Sequence, residues 1–313
     1  MQDAIGSQVL EASKIDLLYN TLRQWCPGMK QSRFAGGHPV SVTSANIGVL
    51  QQFKHMISVK ADGTRCMAMF LRVAGNPVAV IHYRNGDFFR LNVQVTDGLL
   101  FDGTLFDMEQ MSDCFMVFDV YVLRSQLIVD HRYSERVRIA EDLLEYVESN
   151  VMEMKPVYKP SQMHDLIDAC DGMKNDGLIL TRDEPGGSEE DWLWRRSKHM
   201  LKWKRKNTID LYVDEKQNLF WSDKGSRVPV RSLLGYEWPQ SVDHPVGIHE
   251  FEIALEKNRQ IRLTLERGRP DVNMPNDVST VTFNLESVID NIDFVTIQAT
   301  LGQVHIGKRV KYQ

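Results

Sequence analysis

The sequence predicts an α+β protein of two domains, an antiparallel-sheet domain followed by a small β-barrel. Three observations carry that expectation. Apolar and β-branched runs broken by an Asp-Gly turn dominate residues 55–83, with further strand-like runs to 123. Helical spacing of apolar residues is confined to two clear stretches, 8–25 and 134–148. After Asp210 the texture changes to short alternating strands of the kind that build small barrels. The chain has 313 residues, enough for two cored domains. A boundary near 207–210 gives domains 1–208 and 209–313, with a C-terminal segment that could fold back on the first.

Ile15, Leu18, Tyr19 and Leu22 share one face of the first helix. Residues 33–41 are turn-rich, with Gly36, Gly37 and Pro39. From His55 to Val73, and again from Val78 to Tyr83, the composition predicts adjacent antiparallel strands around Asp62-Gly63. Strands at 98–105 and 115–123 follow, then an amphipathic helix with Val137, Ala140, Leu144 and Val147 on one face. Leu178 to Thr181 is a short buried strand, and an acidic loop occupies 183–191. The most basic stretch, Arg195 to Lys206, precedes strands at 210–214, 218–222, 227–230, 247–255 and 259–265.

A net charge of −5 argues against a chain that coats nucleic acid electrostatically, so nucleic-acid contacts would need a local basic patch. No apolar run approaches bilayer length, and the first residues lack the regions of a secretory signal, so no membrane partner is expected. Cys26, Cys66, Cys114 and Cys170 are widely spaced and read as reduced, buried thiols.

The run Lys60-Ala61-Asp62-Gly63-Thr64-Arg65 offers an amine, a carboxylate, a tight turn and a fixed cation. A lysine becomes a nucleophile at neutral pH when desolvation or nearby cations lower its pKa. Arg65 and the later lysines could supply those cations, although an exposed lysine beside a solvated turn would read the same. In Leu201-Lys202-Trp203-Lys204 the alternation places both lysines on one strand face, suited to a phosphate group. An exposed basic strand or a nuclear-import patch fits that segment too. Asp176-Gly177 is a second Asp-Gly pair, able to bind a metal or position a phosphate, or simply to turn the chain. Phe118 ends an apolar run and could stack on a base, as a core phenylalanine would equally fit. Arg267 to Asp271 adds a cationic cluster that alone reads as a surface loop.

These segments, in this order, resemble the covalent nucleotidyltransferases, and among them the mRNA capping guanylyltransferases over the ATP-dependent ligases. Phe34 to Ser41 (FAGGHPVS) resembles the family's F-P-G-x-x-P-V-S segment, and Lys60 to Arg65 matches K-x-D-G-x-R. Asp176 to Thr181 (DGLILT) resembles D-G-L-I-F-T. Leu201 to Lys204 with Asn207 to Asp210 resembles L-K-W-K…N-T-I-D-F, the most specific of these matches. Arg267 to Asn276 (RGRPDVNMPN) resembles R-x-D-K-x-x-P-N of the family's OB-fold domain. The resemblance runs from about residue 33 to 291.

The resemblance implies a nucleotidyltransferase domain followed by an OB-fold, and an enzyme that forms a Lys60–GMP phosphoramidate from GTP. GMP would then pass to a 5′-diphosphate RNA end, giving a GpppN cap. It further implies that Arg65 contacts the ribose, with Asp62 also among the GTP-binding residues, and that Phe118 and Ile179 sandwich the guanine. Lys202 and Lys204 would hold the α-phosphate, and Asp176 would serve the phosphates and a Mg2+ or Mn2+ ion. Asp210, Arg269 and Asp271 would act near the β- and γ-phosphates. A separate RNA triphosphatase, a cap methyltransferase and the transcription machinery are the implied partners, in a nucleus for a cellular source or a cytoplasmic factory for a viral one. Three departures stand out: Asp102-Gly103-Thr104 where the family has D-G-E, an OB-fold domain with Val272 for a lysine and Leu263 for a tryptophan, and a shorter gap between Lys204 and Asn207. An ATP-dependent polynucleotide ligase and a non-catalytic RNA- or partner-binding subunit are the alternatives.

Overall fold

The computed structural model describes residues 4–29, 34–148, 151–172, 175–186, 192–193 and 196–302. Arg33, Arg195, the end of the acidic loop and the last eleven residues of the sequence (303–313) therefore lie outside the described residues. Two compact units form. The first takes 1–40, 49–203 and 300–313, and the second takes 41–48 and 204–299, within the described residues of each span.

In chain order the first unit carries β1 (Ile5–Gln8), α1 (Ala12–Trp25), β2 (His38–Ser41), α2 (Val49–Gln52), β3 (His55–Ala61), β4 (Thr64–Val73), β5 (Asn76–Tyr83), β6 (Phe88–Leu91) and β7 (Gln94–Val95). It continues with β8 (Thr104–Gln110), β9 (Phe115–Leu123), β10 (Gln126–Leu127), α3 (Tyr133–Leu144), β11 (Val147–Glu148), β12 (Met152–Met154), β13 (Val157–Tyr158), α4 (Met163–Gly172), β14 (Asn175–Arg182) and β15 (Arg196–Lys204). The larger sheet runs β1-β6-β5-β4-β8-β9-β10, with β12 added parallel to β9. A smaller sheet runs β13-β3-β14-β15-β2.

β4 shows why the large sheet is buried on both faces. Its period-2 alternation sends Cys66, Ala68 and Phe70 into one core and Met67, Met69 and Leu71 into another. α1 covers the second of these cores with Leu18, Leu22 and Trp25, spaced by four and three residues. The helix starts at Ala12 rather than at residue 8, because Ile5–Gln8 is taken up by pairing with β6. α3 likewise ends at Leu144, since Val147–Glu148 pairs with Gln94–Val95. Asp183 accepts from the Ser134 amide at 2.8 Å and so satisfies one free donor of that helix.

Two local expectations change. β3 and β4 do not pair with each other among the described residues: β3 joins β14 and β13, while β4 joins β5 and β8. The Asp62-Gly63 corner is thus a crossing between two sheets and not a hairpin. Residues 98–102 form a 3-10 turn, not the start of a strand, with Asp97 accepting from the Leu99 amide. All four cysteines are buried thiols.

The second unit carries β16 (Thr208–Val213), β17 (Leu219–Asp223), β18 (Ser226–Pro229), β19 (Gly247–Leu255), β20 (Ile261–Gly268) and α5 (Val278–Asp290). The strands align as β18-β17-β16-β19-β20, an antiparallel sheet that stays open rather than closing into a barrel among the described residues. Its apolar face packs Leu211, Trp221, Phe251 and Ile253 against Val281 and Leu285 of α5. Leu263 packs against this core, which accounts for an apolar residue there.

Candidate functional site

Lys60 is the last but one residue of β3, where the strand leaves the core and its side chain becomes about one-quarter exposed. Lys60 is paired with Gly177 of β14, and Asp176 is the extra residue of a bulge between Asn175 and Gly177. The bulge needs Gly177, whose φ of 143° suits a residue without a Cβ. It aims the Asp176 carboxylate at the amine, with Lys60 Nζ 2.7 Å from Oδ1 and 2.9 Å from Oδ2. The second Asp-Gly pair is therefore a device for placing a carboxylate, not a turn.

Gly63 is fixed by close approach. A Cβ there would lie 2.6 Å from the Gln110 carbonyl and 2.7 Å from Glu109 Cγ. The crossing from β3 to β4 is pressed onto the end of β8, so Lys60 and Arg65 are brought beside the carboxylates of that strand.

Arg65 donates to both oxygens of buried Asp107, with Nε at 2.9 Å from Oδ1, and to the Gly37 carbonyl. Tyr121 donates to the same carboxylate at 2.6 Å. Burial alone would lower the guanidinium's pKa, but the Asp107 charge and hydrogen bonds outweigh it and the net shift is upward, so Arg65 is a permanent cation. Its Cζ lies 5.5 Å from the Phe118 ring centroid and 5.8 Å from that of Phe34. The Phe118 backbone is held by Tyr133, whose hydroxyl donates to its carbonyl at 2.9 Å. Behind it, fully buried Arg136 grips Asp119 through two hydrogen bonds of 2.8 and 3.0 Å.

Sequence reasoning missed three residues here: Asp107, Glu109 and Lys155. Glu109 lies opposite Arg65 in the β4–β8 ladder. Burial raises its pKa, helped by Asp107 and opposed by Lys155, Lys60 and Arg65. Lys155, 5% exposed, places Nζ 5.4 Å from the Phe118 ring centroid. Burial, with Lys60 and Arg65 acting in the same direction, lowers its pKa to about 8 against the pull of Glu109. Lys155 sits in no motif; its only signal is a charged residue between two short apolar runs.

Glu109 also revises one departure. Thr104 pairs with Phe70, five residues from Arg65 along β4, so it lies roughly 16 Å along the strand from this site. The segment beside Lys60 and Arg65 is Asp107-Met108-Glu109, which keeps the spacing of D-G-E with Met108 for the glycine. No glutamate is missing from the site.

In the smaller sheet Lys202 lies on β15, between β14 and β2. His38, on β2, has its pKa lowered to about 4 by burial first, then by Arg84, Arg65 and Lys202, so the ring is neutral. Its Nδ1 accepts from Arg84 at 3.2 Å. Lys204 ends β15, and Ile179 is half-buried on β14, opposite Ser58. Asp62 is exposed at the crossing.

The second unit gathers its own set. Arg269 donates to Asp210 at 3.1 Å and to Asp271 at 3.0 Å, and Arg267 donates to Glu250 at 2.8 Å. Asn276 ties the loop down by accepting from the Asp210 amide at 3.0 Å. Val272 is half-buried, its amide bonded to the Arg269 carbonyl. Of the expected site residues, Lys60 meets Asp176 and Arg65 faces Phe118 in the first unit, while Asp210, Arg269 and Asp271 meet in the second.

Among the described residues no group of three or more His, Cys, Asp or Glu side chains could hold a metal. Asp176 fits the other arrangement, in which one or two carboxylates share the ion with substrate phosphates and water.

Among solved structures, a mycobacterial DNA ligase D complexed with ATP and MES overlaps with a TM-score of 0.43 at 13% identity, covering 76% of this chain and 98% of that one. The ligase domain of M. tuberculosis LigD overlaps at 0.39 and 15%, covering 77% and 96%. A structure from a study of Lig E DNA ligases gives 0.37 and 13%, covering 74% and 99%. These overlaps are loose and carry no weight beside the family match. Residues 3–165, just over half of the sequence, match the family described as mRNA capping enzyme, catalytic domain, and the chain belongs to that family.

Proposed function

We propose that the protein is an mRNA guanylyltransferase. One observation favours GTP over the ATP of the ligases: the buried Lys155 ammonium against the Phe118 ring. With a purine stacked on Phe118, Lys155 is a hydrogen-bond donor at the base. A lysine can only donate, so it suits the O6 acceptor of guanine and opposes the amino group of adenine.

In the first step the Lys60 amine attacks the α-phosphorus of GTP and gives up a proton through the Asp176 carboxylate that lies 2.7 Å from Nζ. A P–N bond forms, the bridging P–O bond breaks, and pyrophosphate leaves. Arg65, held rigid by Asp107, and Glu109 fix the ribose, while Lys202 and Lys204 neutralise charge at the α-phosphate. Asp176 accepts from the amine before attack and orients it. A divalent cation bound with the triphosphate, held by Asp176, would supply charge neutralisation. In the second step a β-phosphate oxygen of a 5′-diphosphate RNA attacks the same phosphorus, and the P–N bond breaks as the leaving nitrogen takes up a proton, releasing capped RNA and the amine. Arg269 and Asp271 serve the departing pyrophosphate in this reading. Partners would be a separate RNA triphosphatase and cap methyltransferase.

Incubation with α-labelled GTP or ATP and Mg2+ or Mn2+, followed by a denaturing gel, tests this. We expect a labelled adduct from GTP, lost in Lys60→Ala, with the label transferred to 5′-diphosphate RNA. An adduct from ATP alone would assign the chain to ligase chemistry, and no adduct from either would leave a binding subunit.

A further inference from the structure

We propose that the polar face of the second unit's sheet is a stacking platform for the single-stranded RNA that follows the 5′ end, centred on Tyr212, Phe220 and Arg227. The proposal rests on the guanylyltransferase reading and names where that reaction's second substrate would lie.

Tyr212 and Phe220 are direct cross-strand partners, as are Ser222 and Arg227, which puts all four side chains on one face. That face is the opposite of the one packed on α5, which takes Leu211, Val213 and Trp221. The Tyr212 and Phe220 rings lie 6.1 Å apart at 59°, and Arg227 lies over Tyr212 with Cζ 3.8 Å from the ring centroid. Both rings are half-buried and Arg227 is exposed.

Charge selects the occupant. Of the other arginines on this side, Arg267 is paired with Glu250, and Arg269 with Asp210 and Asp271. Arg227 forms no ion pair among the described residues; its NH2 donates to the Asn273 carbonyl at 3.4 Å. An exposed guanidinium 3.8 Å over an aromatic ring, with donors left for an anion, pairs one stacking surface with one phosphate contact. That combination holds single-stranded nucleic acid without reading its sequence.

Position agrees. The loop from Arg269 to Asn276 is bonded to β17 through Ser222 N to Asn276 O at 2.9 Å, and to β16 through Asp210. Asn273, which receives the Arg227 bond, is in that loop. The platform thus begins beside Arg269, and a strand whose 5′ phosphates lie at that loop would lay its next bases across Tyr212.

The test uses the full chain and a fluorescent 5′-diphosphate oligoribonucleotide of about 12 nucleotides, long enough to cross one sheet face. Polarisation should show Arg227→Gln and Tyr212→Ala each raising Kd about tenfold, and Tyr212→Phe, which keeps the ring, about twofold or less. Adduct formation from GTP without RNA should stay at the wild-type level in all three. Unchanged Kd in both Arg227→Gln and Tyr212→Ala would overturn the proposal. So would loss of adduct in Arg227→Gln, which would place that residue in the first step. Should Tyr212→Ala fail to fold, exposed Arg227 carries the decision. A wild-type chain that takes only ATP would overturn the guanylyltransferase reading and leave the Kd comparison standing.

Discussion

At the scale of single residues, the site separates what local sequence encodes from what only the fold brings together. Lys60, Arg65 and Asp176 stand in short runs whose chemistry is visible in order along the chain. Asp107, Glu109 and Lys155 are not visible that way, because their roles come from the β4–β8 register and from burial. Two predictions follow from the residues that were hidden. Lys155→Met should narrow the preference for GTP over ATP by about tenfold or more, since a charged hydrogen bond is worth roughly 1.5–3 kcal/mol. Competition labelling with both nucleotides measures it, and an unchanged ratio would remove Lys155 from base recognition. Glu109→Gln should slow adduct formation, whereas Thr104→Glu should bring no gain in rate. Thr104 is fully buried with its hydroxyl unpartnered, so a carboxylate there would lower stability by several kcal/mol, about 3 or more. A rate increase in Thr104→Glu would restore Asp102-Gly103-Thr104 as the family's acidic segment.

Among elements, the crossing from β3 to β4 decides the geometry of the nucleophile. A hairpin would have kept Lys60 and Arg65 in one sheet; the crossing puts Lys60 beside β14 and Arg65 beside β8. Sequence gave no sign of this, because an Asp-Gly pair between two apolar strands is the ordinary hairpin signal. The partners that pull the strands apart lie 34 to 46 residues away in β8 and 114 to 127 residues away in β14. Gly63 is tightly packed at this corner, and Gly63→Ala must push against the Gln110 backbone carbonyl, which has no rotamer to yield. We expect a loss of about 1–3 kcal/mol in urea unfolding and a larger proportional loss of adduct formation, because Lys60 is displaced along with the corner. Gly48→Ala is the control: a Cβ there has nothing within 4 Å, and stability should stay within about 0.5 kcal/mol. Equal effects at both positions would mean that the corner is not under contact. The α5 helix was illegible for another reason. Val278 to Asp290 is rich in Val, Thr and Ser, poor helix formers, and the segment is helical because Val281 and Leu285 fill the open sheet.

For the molecule as a whole, sequence foretold the antiparallel α+β architecture and most strand positions, since alternation is a local property. It could not foretell which sheet each strand would join, or how a sheet buried on both faces settles its polar residues. His82 shows the consequence. It is the last but one residue of β5, wholly buried, stacked on Phe88 at 4.2 Å between ring centroids, with neither ring nitrogen bonded. Burial pushes its pKa down to about 3 from the usual 6.5. The unfolded chain therefore binds a proton between those values that the folded chain does not. Stability from this group is complete above about pH 6.5 and is lost progressively as pH falls toward 3. His55, 2% exposed and pushed to about 4 by burial, acts in the same direction at the start of β3. At pH 4.5 His82 alone should cost about 2–3 kcal/mol relative to pH 7, from roughly 1.4 kcal/mol per pH unit. Hydrogen exchange at the β5 amides reads this in the first unit without averaging over the second. Protection should fall sharply between pH 7 and 4.5 in the wild type, after correction for intrinsic exchange, and less in His82→Phe, which keeps the stack and removes the titration. An equal fall in both proteins would show that His82 takes up its proton within the folded core, and that acid sensitivity arises elsewhere.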